Sequence, residues 1–343
     1  MRLRSDPLLR VLVIGVLAAG ACAARAEADS VLKVGPKAPY QTVSAAVFAA
    51  EQDTNLATYY VIEVAPGTYI NDFPAVTRPM TIEVDPAKAG RSVILKATEA
   101  LPNEKGIILS TADLTVNGLT FEGAEIQNYL GGNGAGIRDQ NPSTPARLVV
   151  ENSTFVGNQE GILTGDNPAQ SISIINSTFK NNGNPNIGYF QHGLYVNQAG
   201  SLTVTSSVFC GQLIGHDIKS RAMMTSVSDS QLYDGEADST IGCRAGSTSF
   251  AIDIPNGGIA TITGNLITQG AASQNYKMVA YGEEGLLYSQ NSLLVSDNSF
   301  TSIGPEPATG IYDPDCIAIQ LAGDSFTNIA TPVDPASCVV SGD

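Results

Sequence analysis

Tryptophan is absent from the 343-residue chain, histidine occurs only twice, and basic residues are scarce. The chain has 18 Lys and Arg against 33 Asp and Glu, so its net charge at pH 7 is −15. This balance argues against non-specific binding to nucleic acid or to an anionic membrane, because both need a basic surface. Hydrophobic residues make up 43% of the chain, a content too high for a disordered protein.

An apolar run long enough to cross a bilayer is also missing from the N-terminus, where residues 11–20 are apolar. Three arginines precede this run, and the sequence Ala24-Arg25-Ala26 follows it. This arrangement is typical of a secretory signal peptide. A lipoprotein anchor at Cys22 is the alternative, disfavoured because Ala19 replaces the usual large aliphatic residue. We therefore expect a signal peptide at 1–26, a single exported domain at 27–343, and a periplasmic or extracellular location.

Four cysteines remain after residue 26, and an even number in an oxidising compartment favours disulfides. Three pairings are possible. We predict Cys210–Cys243 and Cys316–Cys338, because nearest-neighbour pairing closes the shortest loops. Zinc is the competing interpretation, but the chain has no pair of cysteines separated by two residues.

A six-residue pattern recurs along the chain, with an aliphatic residue first and a large apolar residue last. It occupies residues 116–121, 150–155, 174–179, 204–209, 227–232, 262–267 and 295–300. A repeated unit of this size with variable loops indicates a solenoid. The residues alternate with a period of two, which indicates strands, and no helical pattern separates the units.

A second strand follows each first one, beginning with residues 136–139, 161–164 and 193–196. Short strands that recur in the same order predict an all-β, right-handed parallel β-helix, with an antiparallel sandwich as the alternative. Asn152 and Asn176 hold equal positions in their repeats, so we expect an Asn ladder. Residues 44–51 predict an N-terminal capping helix, and the tail after Phe326 is expected to cap the other end.

Two segments before the repeats carry a family resemblance: residues 40–46 (YQTVSAA) and 61–69 (VIEVAPGTY). They resemble the start of pectin-lyase-like right-handed β-helix proteins, which include pectate lyases, pectin esterases and related carbohydrate enzymes. The resemblance implies the fold and a carbohydrate substrate. The characteristic motifs of pectin esterases and polygalacturonases are absent, so the resemblance does not identify the reaction.

Alignment of the second strands places one apolar column inward, through Ile137, Ile162, Leu194, Ile218, Ile252, Ala280 and Ile319. Neighbouring residues should then point outward. Chemically capable side chains concentrate there on a few consecutive coils. Both histidines fall on one column, about 4.8 Å apart by strand spacing. Our catalytic candidates are Lys219, Arg221, His216, His192, Tyr195 and Asp253. Our substrate-binding candidates are Asn197, Asp217, Tyr281, Glu283 and Arg138.

Such a cluster favours a polysaccharide lyase, or a C5 epimerase, that removes the proton alpha to a uronate carboxylate. This chemistry needs a cation on the carboxylate, a base at C5 and, for cleavage, an acid at the leaving oxygen. Arg221 would neutralise the uronate carboxylate, and Lys219 or His216 would be the base at C5. Tyr195 or Tyr281 would donate a proton to the leaving oxygen.

Two alternatives remain open. An inverting glycoside hydrolase would use Asp217, Asp253 and Glu283, with carboxylates roughly 8 Å apart. A non-catalytic glycan-binding or envelope β-helix protein would use exposed aromatic platforms, for which Tyr189, Tyr195, Tyr281 and Tyr288 are candidates.

We expect a polysaccharide as the partner, no nucleic acid or membrane partner, and a monomer. No metal-ligating residues or cofactor are assigned. Ca²⁺ at acidic loops around Asp234 to Asp238 or Asp313 to Asp315 is a lesser alternative.

Overall fold

The computed structural model describes residues 30–127, 131–235 and 237–340, so the predicted signal peptide lies outside the described residues. Its strands form three long sheets, and every pairing between the strands of a sheet is parallel. After the first two strands, which pair in one sheet, consecutive strands lie in different sheets, so the chain winds in successive coils. Parallel crossovers are right-handed in nearly all proteins, and the fold is the predicted right-handed parallel β-helix.

The strands are numbered along the chain. Sheet A has twelve: β1 (Ser30–Val34), β2 (Tyr60–Val64), β5 (Met80–Val84), β8 (Leu114–Asn117), β11 (Ala146–Glu151), β14 (Asn167–Ile175), β17 (Ala199–Thr205), β20 (Met224–Ser228), β23 (Ile259–Thr263), β26 (Ser292–Ser296), β29 (Ile319–Ala322) and β32 (Val339–Val340). Sheet B has ten: β3 (Gly67–Ile70), β6 (Val93–Lys96), β9 (Leu119–Glu122), β12 (Thr154–Val156), β15 (Thr178–Lys180), β18 (Val208–Cys210), β21 (Gln231–Asp234), β24 (Leu266–Gln269), β27 (Ser299–Ser302) and β30 (Ser325–Thr327). Sheet C has ten: β4 (Ala75–Val76), β7 (Gly106–Ser110), β10 (Ala135–Asp139), β13 (Glu160–Thr164), β16 (Leu194–Val196), β19 (Ile218–Ser220), β22 (Ile252–Ile254), β25 (Lys277–Tyr281), β28 (Ala308–Tyr312) and β31 (Ile329–Asp334).

The six-residue repeat is the corner between sheets A and B. Its third residue has a positive φ in every coil, which explains why it is Gly, Asn, Ser or Asp: Gly118, Asn152, Asn176, Ser206, Asp229, Gly264 and Asp297. These residue types tolerate the left-handed region best. The predicted Asn ladder is confirmed, because Asn176 Nδ2 donates to Asn152 Oδ1 at 2.6 Å.

From the second repeat onward, the next residue caps the backbone of the preceding coil; the first repeat has Leu119 at this position. Ser153 N donates to Ser177 Oγ at 3.2 Å, and Ser177 N donates to Ser207 Oγ at 3.1 Å. The same ladder continues through Ser230, Asn265 and Asn298. The amides where each coil turns are therefore satisfied by buried side chains.

The last residue of each repeat points into the core, where equal positions stack. Phe121, Phe155, Phe179 and Phe209 pair in register. Their rings lie nearly parallel, with centroids 4.6–4.9 Å apart. The rings of this column are buried, and burial of apolar area stabilises the coils by roughly 25 cal/mol per Å².

Helix α1 (Val43–Glu51) covers the N-terminal end of this core, as predicted. Thr42 is its N-cap, and the Asp72 carboxylate accepts from the amides of Val43 and Ser44 at 2.6 and 3.0 Å. A carboxylate stabilises this end of a helix. At the C-terminal end, the tail after Phe326 adds strands to sheets C and A.

The second strand set is aligned as predicted only as far as Ile252. There Ile252 pairs with Val279, not with Ala280, and the next residue of the column is Ile311. Ile319 belongs to sheet A. Two adjacent apolar residues at 279–280 fit the inward column equally well by pattern, so the sequence alone leaves this register open.

Both predicted disulfides, Cys210–Cys243 and Cys316–Cys338, are present. The described residues also include the 3₁₀ turns Pro86–Lys88 and Ala336–Cys338. None of the helices in the described ranges has the length and apolar character that a membrane-spanning helix needs.

Removing one ring from the phenylalanine column should destabilise the solenoid strongly. We expect Phe179→Ala to lower the free energy of unfolding by about 3–5 kcal/mol, because it leaves a cavity between two rings. Urea denaturation measures this change. Phe48→Ala, at a phenylalanine that is 66% exposed on α1, is the matched control. A change of about 0.5 kcal/mol or less is expected there. Equal losses in the two variants would contradict this role for the stack.

Candidate functional site

The candidate site lies on the outer face of sheet C, opposite the core. Arg138, Leu163, Tyr195, Lys219 and Asp253 pair in register across five coils, so the predicted outward row is aligned correctly there. The row then continues through Ala280 and Tyr312. Stacking therefore brings a phenol, an ammonium and a carboxylate together on three consecutive coils.

Two predicted site residues, Tyr281 and Asp217, do not lie on the outer face of sheet C. Tyr281 pairs with Ile254 and is fully buried, and its hydroxyl donates to Gly258 O at 2.5 Å. The register shift at β25 makes it a core residue, so it cannot offer a platform or a proton to a substrate on the outer face.

Asp217 is also turned inward, contrary to the prediction. It precedes β19, at the position that Gly161 and Gly193 hold in earlier coils, where a Cβ would meet the phenylalanine stack. The chain bends before it enters sheet C, so strict alternation does not apply. Burial, followed by the neighbouring Asp234, raises the pKa of the Asp217 carboxyl well above its usual range. The predicted hydrolase pair of Asp217 with Asp253 therefore does not share a face.

Lys219 is the centre of the cluster. Its side chain is only 10% exposed, and Nζ lies 3.0 Å from Asp253 Oδ2 and 3.0 Å from Glu284 Oε1. Burial lowers the pKa of Lys219, but the two carboxylates raise it further, so the net shift is upward. An ammonium held in this way stays protonated and is a poor base, contrary to one of its predicted roles.

Arg221 lies beside Lys219 and contacts the same glutamate. Its Nη2 donates to Glu284 Oε2 at 2.6 Å, its Nη1 to Asn256 Oδ1 at 2.5 Å, and its Nε to the Tyr195 hydroxyl at 3.1 Å. The two oxygens of one carboxylate are thus each bound by a different cation. The positive charges of Lys219 and Arg221 are therefore compensated by Glu284 and Asp253.

The two histidines share one column, as predicted, and their rings stack with centroids 4.7 Å apart. Each accepts a backbone amide of the next coil at Nδ1: His192 from His216 N, and His216 from Phe250 N, both at 3.1 Å. Each neutral ring therefore carries its proton on Nε2. For His216, that nitrogen lies 3.3 Å from Asp253 Oδ2.

These two hydrogen bonds change the role expected of His216. Burial and nearby cations lower the pKa of both histidines, to about 3 for His192. A neutral imidazole whose Nδ1 accepts an amide and whose Nε2 carries a proton has no free lone pair to remove a proton. His216 is instead placed to orient Asp253.

Asp253 is fully buried. Burial raises its pKa to about 7, although Lys219 lowers it. Neither of its oxygens has a well-aligned hydrogen bond to another described residue, even though Nζ and Nε2 lie close to Oδ2. A carboxyl that titrates near neutral pH suits general acid–base chemistry.

The remaining predicted site residues, Asn197, Glu283 and Arg138, lie around the Lys219 cluster. Asn197 donates from its amide and side chain to Thr164, a contact that shapes the turn after β16. Glu283 is exposed on the loop after β25. Arg138 is half-buried, its pKa is lowered by burial, and its Nε has no hydrogen-bond partner among the described residues.

Three contributors were missed by sequence reasoning. Glu160 occupies the same column as the two histidines, and its Oε2 accepts from His192 N at 2.8 Å. That shared column would have been the signal. Glu284 and Asn256 lie in loops outside the repeat, where no periodic signal exists.

No three His, Cys, Asp or Glu side chains in the described ranges are arranged to hold a metal ion. Asp234, expected in an acidic loop, is buried, and its Oδ2 accepts from Thr248 N at 2.8 Å. The expectations about Ca²⁺ and cofactors stay predictions.

The buried carboxyl should make stability depend on pH. With a pKa of about 7, folded Asp253 keeps a proton that the unfolded chain releases near pH 4, so its contribution falls as pH rises between about 4 and 7. We expect Asp253→Asn to reduce this loss in urea denaturation series at several pH values. Asp238→Asn removes an exposed carboxylate whose pKa is lowered by hydrogen bonds from Thr240, so it should not reduce the loss. An unchanged pH dependence in Asp253→Asn would contradict the assignment.

Comparison with known proteins finds no matching family model and no matching curated protein. Among solved structures, the chain is similar to the pectin methylesterase from Aspergillus niger in deglycosylated form, with 12% identity and a TM-score of 0.39. That match covers 91% of this chain and 90% of the other. The chain is also similar to ORF18 of Geobacillus virus E2, with 10% identity and a TM-score of 0.42, over 80% of this chain and 53% of that one. These similarities are too distant to carry an argument, and the fold rests on the three parallel sheets themselves, which form a parallel β-helix.

Proposed function

We propose that the chain is an exported carbohydrate-active enzyme, a lyase or C5 epimerase of a uronate-containing polysaccharide. One observation carries the proposal: Lys219 and Arg221 together hold a single carboxylate, with Nζ on one oxygen of Glu284 and Nη2 on the other. A uronate residue presents the same group. Since Glu284 belongs to a partly exposed loop, we infer that a substrate carboxylate takes its place.

Two fixed cations on that carboxylate would favour loss of the adjacent C5 proton, because negative charge develops on the carboxylate oxygens. The base removes the C5 proton, and the electron pair forms a C4–C5 double bond as the C4–oxygen bond breaks. The leaving oxygen then takes a proton. An epimerase would instead return a proton to C5 from the opposite face.

We assign the base to Asp253 and the acid to Tyr195. Because Asp253 is fully buried in the free protein, this assignment requires that departure of Glu284 from Lys219 opens access to the Asp253 carboxyl. Among the groups that contact Lys219, Asp253 has the pKa, about 7, that proton abstraction near neutral pH requires. The Tyr195 oxygen accepts from Arg221 Nε, so its own O–H points away from Arg221 and is free to donate. His216 Nε2 orients Asp253, and Lys219 and Arg221 neutralise the substrate carboxylate.

A retaining glycoside hydrolase is the second candidate, and the distance between the Asp253 and Glu284 carboxyl groups favours it for this pair. Asp253 Oδ2 and Glu284 Oε1 are each 3.0 Å from Lys219 Nζ, so they are at most 6.0 Å apart. Inverting enzymes separate their carboxyl groups by about 6.5–9.5 Å, and retaining enzymes by about 5–5.5 Å. In this alternative, Asp253 would be the acid and Glu284 the nucleophile.

Product analysis on a panel of polysaccharides tests the proposal. We expect unsaturated uronate ends, detected by ultraviolet absorbance, or C5-inverted uronate, detected by NMR. Lys219→Met should lower the rate by about a hundredfold or more, since one preorganised donor to the developing charge is lost. New reducing ends without unsaturation would replace the lyase with the hydrolase. Retention on a glycan without any product would leave a binding protein.

Substitution of Glu284 distinguishes a lyase or epimerase from a retaining hydrolase. If it occupies the carboxylate site, Glu284→Gln should lower KM for a polyuronate by about fivefold, because an exposed ion pair worth up to about 1 kcal/mol no longer competes. Steady-state kinetics measure this, with Glu283→Gln on the same loop as the control. Loss of all turnover in Glu284→Gln would instead identify a catalytic carboxylate.

A further inference from the structure

An exposed aromatic pair lies beside the site and has no role in it so far. Tyr189 is 55% exposed and Phe190 is 63% exposed, and both belong to the loop between β15 and β16. Single exposed apolar residues are common on protein surfaces. Two adjacent aromatic side chains, both mostly exposed and next to a candidate catalytic cluster, are not explained by packing.

The loop that carries them is firmly anchored. Gln191 is fully buried; its Oε1 accepts from Asn184 N at 2.5 Å, and its Nε2 donates to Gly132 O. Ile187 is also buried, and a Cβ at Gly132 would come within 2.7 Å of it. Buried contacts therefore anchor a loop that exposes two aromatic rings.

The position of Phe190 links the loop to the cluster. Its ring lies parallel to the His216 ring within 11°, with centroids 6.4 Å apart. His216 Nε2 in turn lies 3.3 Å from Asp253 Oδ2, the carboxyl that contacts Lys219. A polymer whose reacting residue lies at Lys219 would place a neighbouring residue near this ring.

We propose that Phe190, with Tyr189, is a binding platform for a sugar ring of the polysaccharide, one or more residues away from the reacting uronate. This inference rests on the proposed function for the identity of the polymer. A flat aromatic face buries the C–H groups of a sugar face, and a rigid ring does so at low entropic cost. Aromatic walls with a few fixed polar groups are the usual composition of ligand sites.

The absence of tryptophan makes a clean test possible. Phe190→Trp creates a single-Trp protein, and Phe48→Trp places the same reporter on the equally exposed ring of α1, far along the chain. Polygalacturonate and alginate are the probes, with hydroxyethylcellulose as a neutral comparison. All variants carry Tyr195→Phe, so that binding is measured with little turnover.

We expect the emission of Phe190→Trp to change on addition of one polyuronate, and that of Phe48→Trp to stay constant. In affinity gels containing that polymer, Phe190→Trp should bind as well as the parent. Phe190→Leu and Phe190→Ala should bind about tenfold more weakly, because an aliphatic side chain cannot stack on a sugar face. Tyr189→Ala should give a smaller loss, and Phe48→Ala none.

Equal binding by Phe190→Leu, Phe190→Ala and the parent would overturn the platform, as would the absence of binding to every probe. The two proposals fail separately. Equal product formation by Phe190→Leu and the parent, both with Tyr195 intact, would leave the enzyme and remove the platform. Binding that depends on an aromatic residue at 190, without product from any polymer, would leave the platform and remove the enzyme.

Discussion

Every feature of this molecule depends on the vertical register of its parallel coils. Strands that lie about 4.8 Å apart place each residue directly over its equivalent in the next coil. The constraint selects a column of phenylalanines in the core and residues that tolerate positive φ at one corner. At the same corner it selects serines and asparagines that cap the preceding coil. None of these columns would form if one coil slipped by a residue, because inward and outward faces would exchange.

The same constraint assembles the candidate site. Tyr195, Lys219 and Asp253 are far apart in sequence but occupy one outward row. A stack of like charges would repel, and here an ammonium lies between two carboxylates instead. His192 and His216, which precede the strands of this row, also cap backbone groups, since each Nδ1 accepts an amide of the following coil. That second function fixes the tautomer and leaves Nε2 of His216 to orient Asp253.

The repeat allowed most of the fold to be predicted. The first strand set, both disulfides and the shared histidine column follow from spacing, and the capping helix follows from its composition. Prediction failed where two neighbours were equally apolar, at Val279 and Ala280, and this error moved Tyr281 to the wrong face. It failed again at Asp217, where a bend suspends alternation. Glu284 lies in a loop without any period, so only the folded chain reveals that it compensates both cations.

The central claim is that Lys219 and Arg221 form a binding site for a substrate carboxylate, which Glu284 occupies in the free protein. The most direct measurement is a crystal structure of Glu284→Gln with a bound uronate oligosaccharide. We predict one uronate carboxylate with an oxygen on Lys219 Nζ and the other on Arg221 Nη2, and Phe190 against a neighbouring sugar ring. A bound oligosaccharide whose carboxylates avoid both cations would contradict this claim.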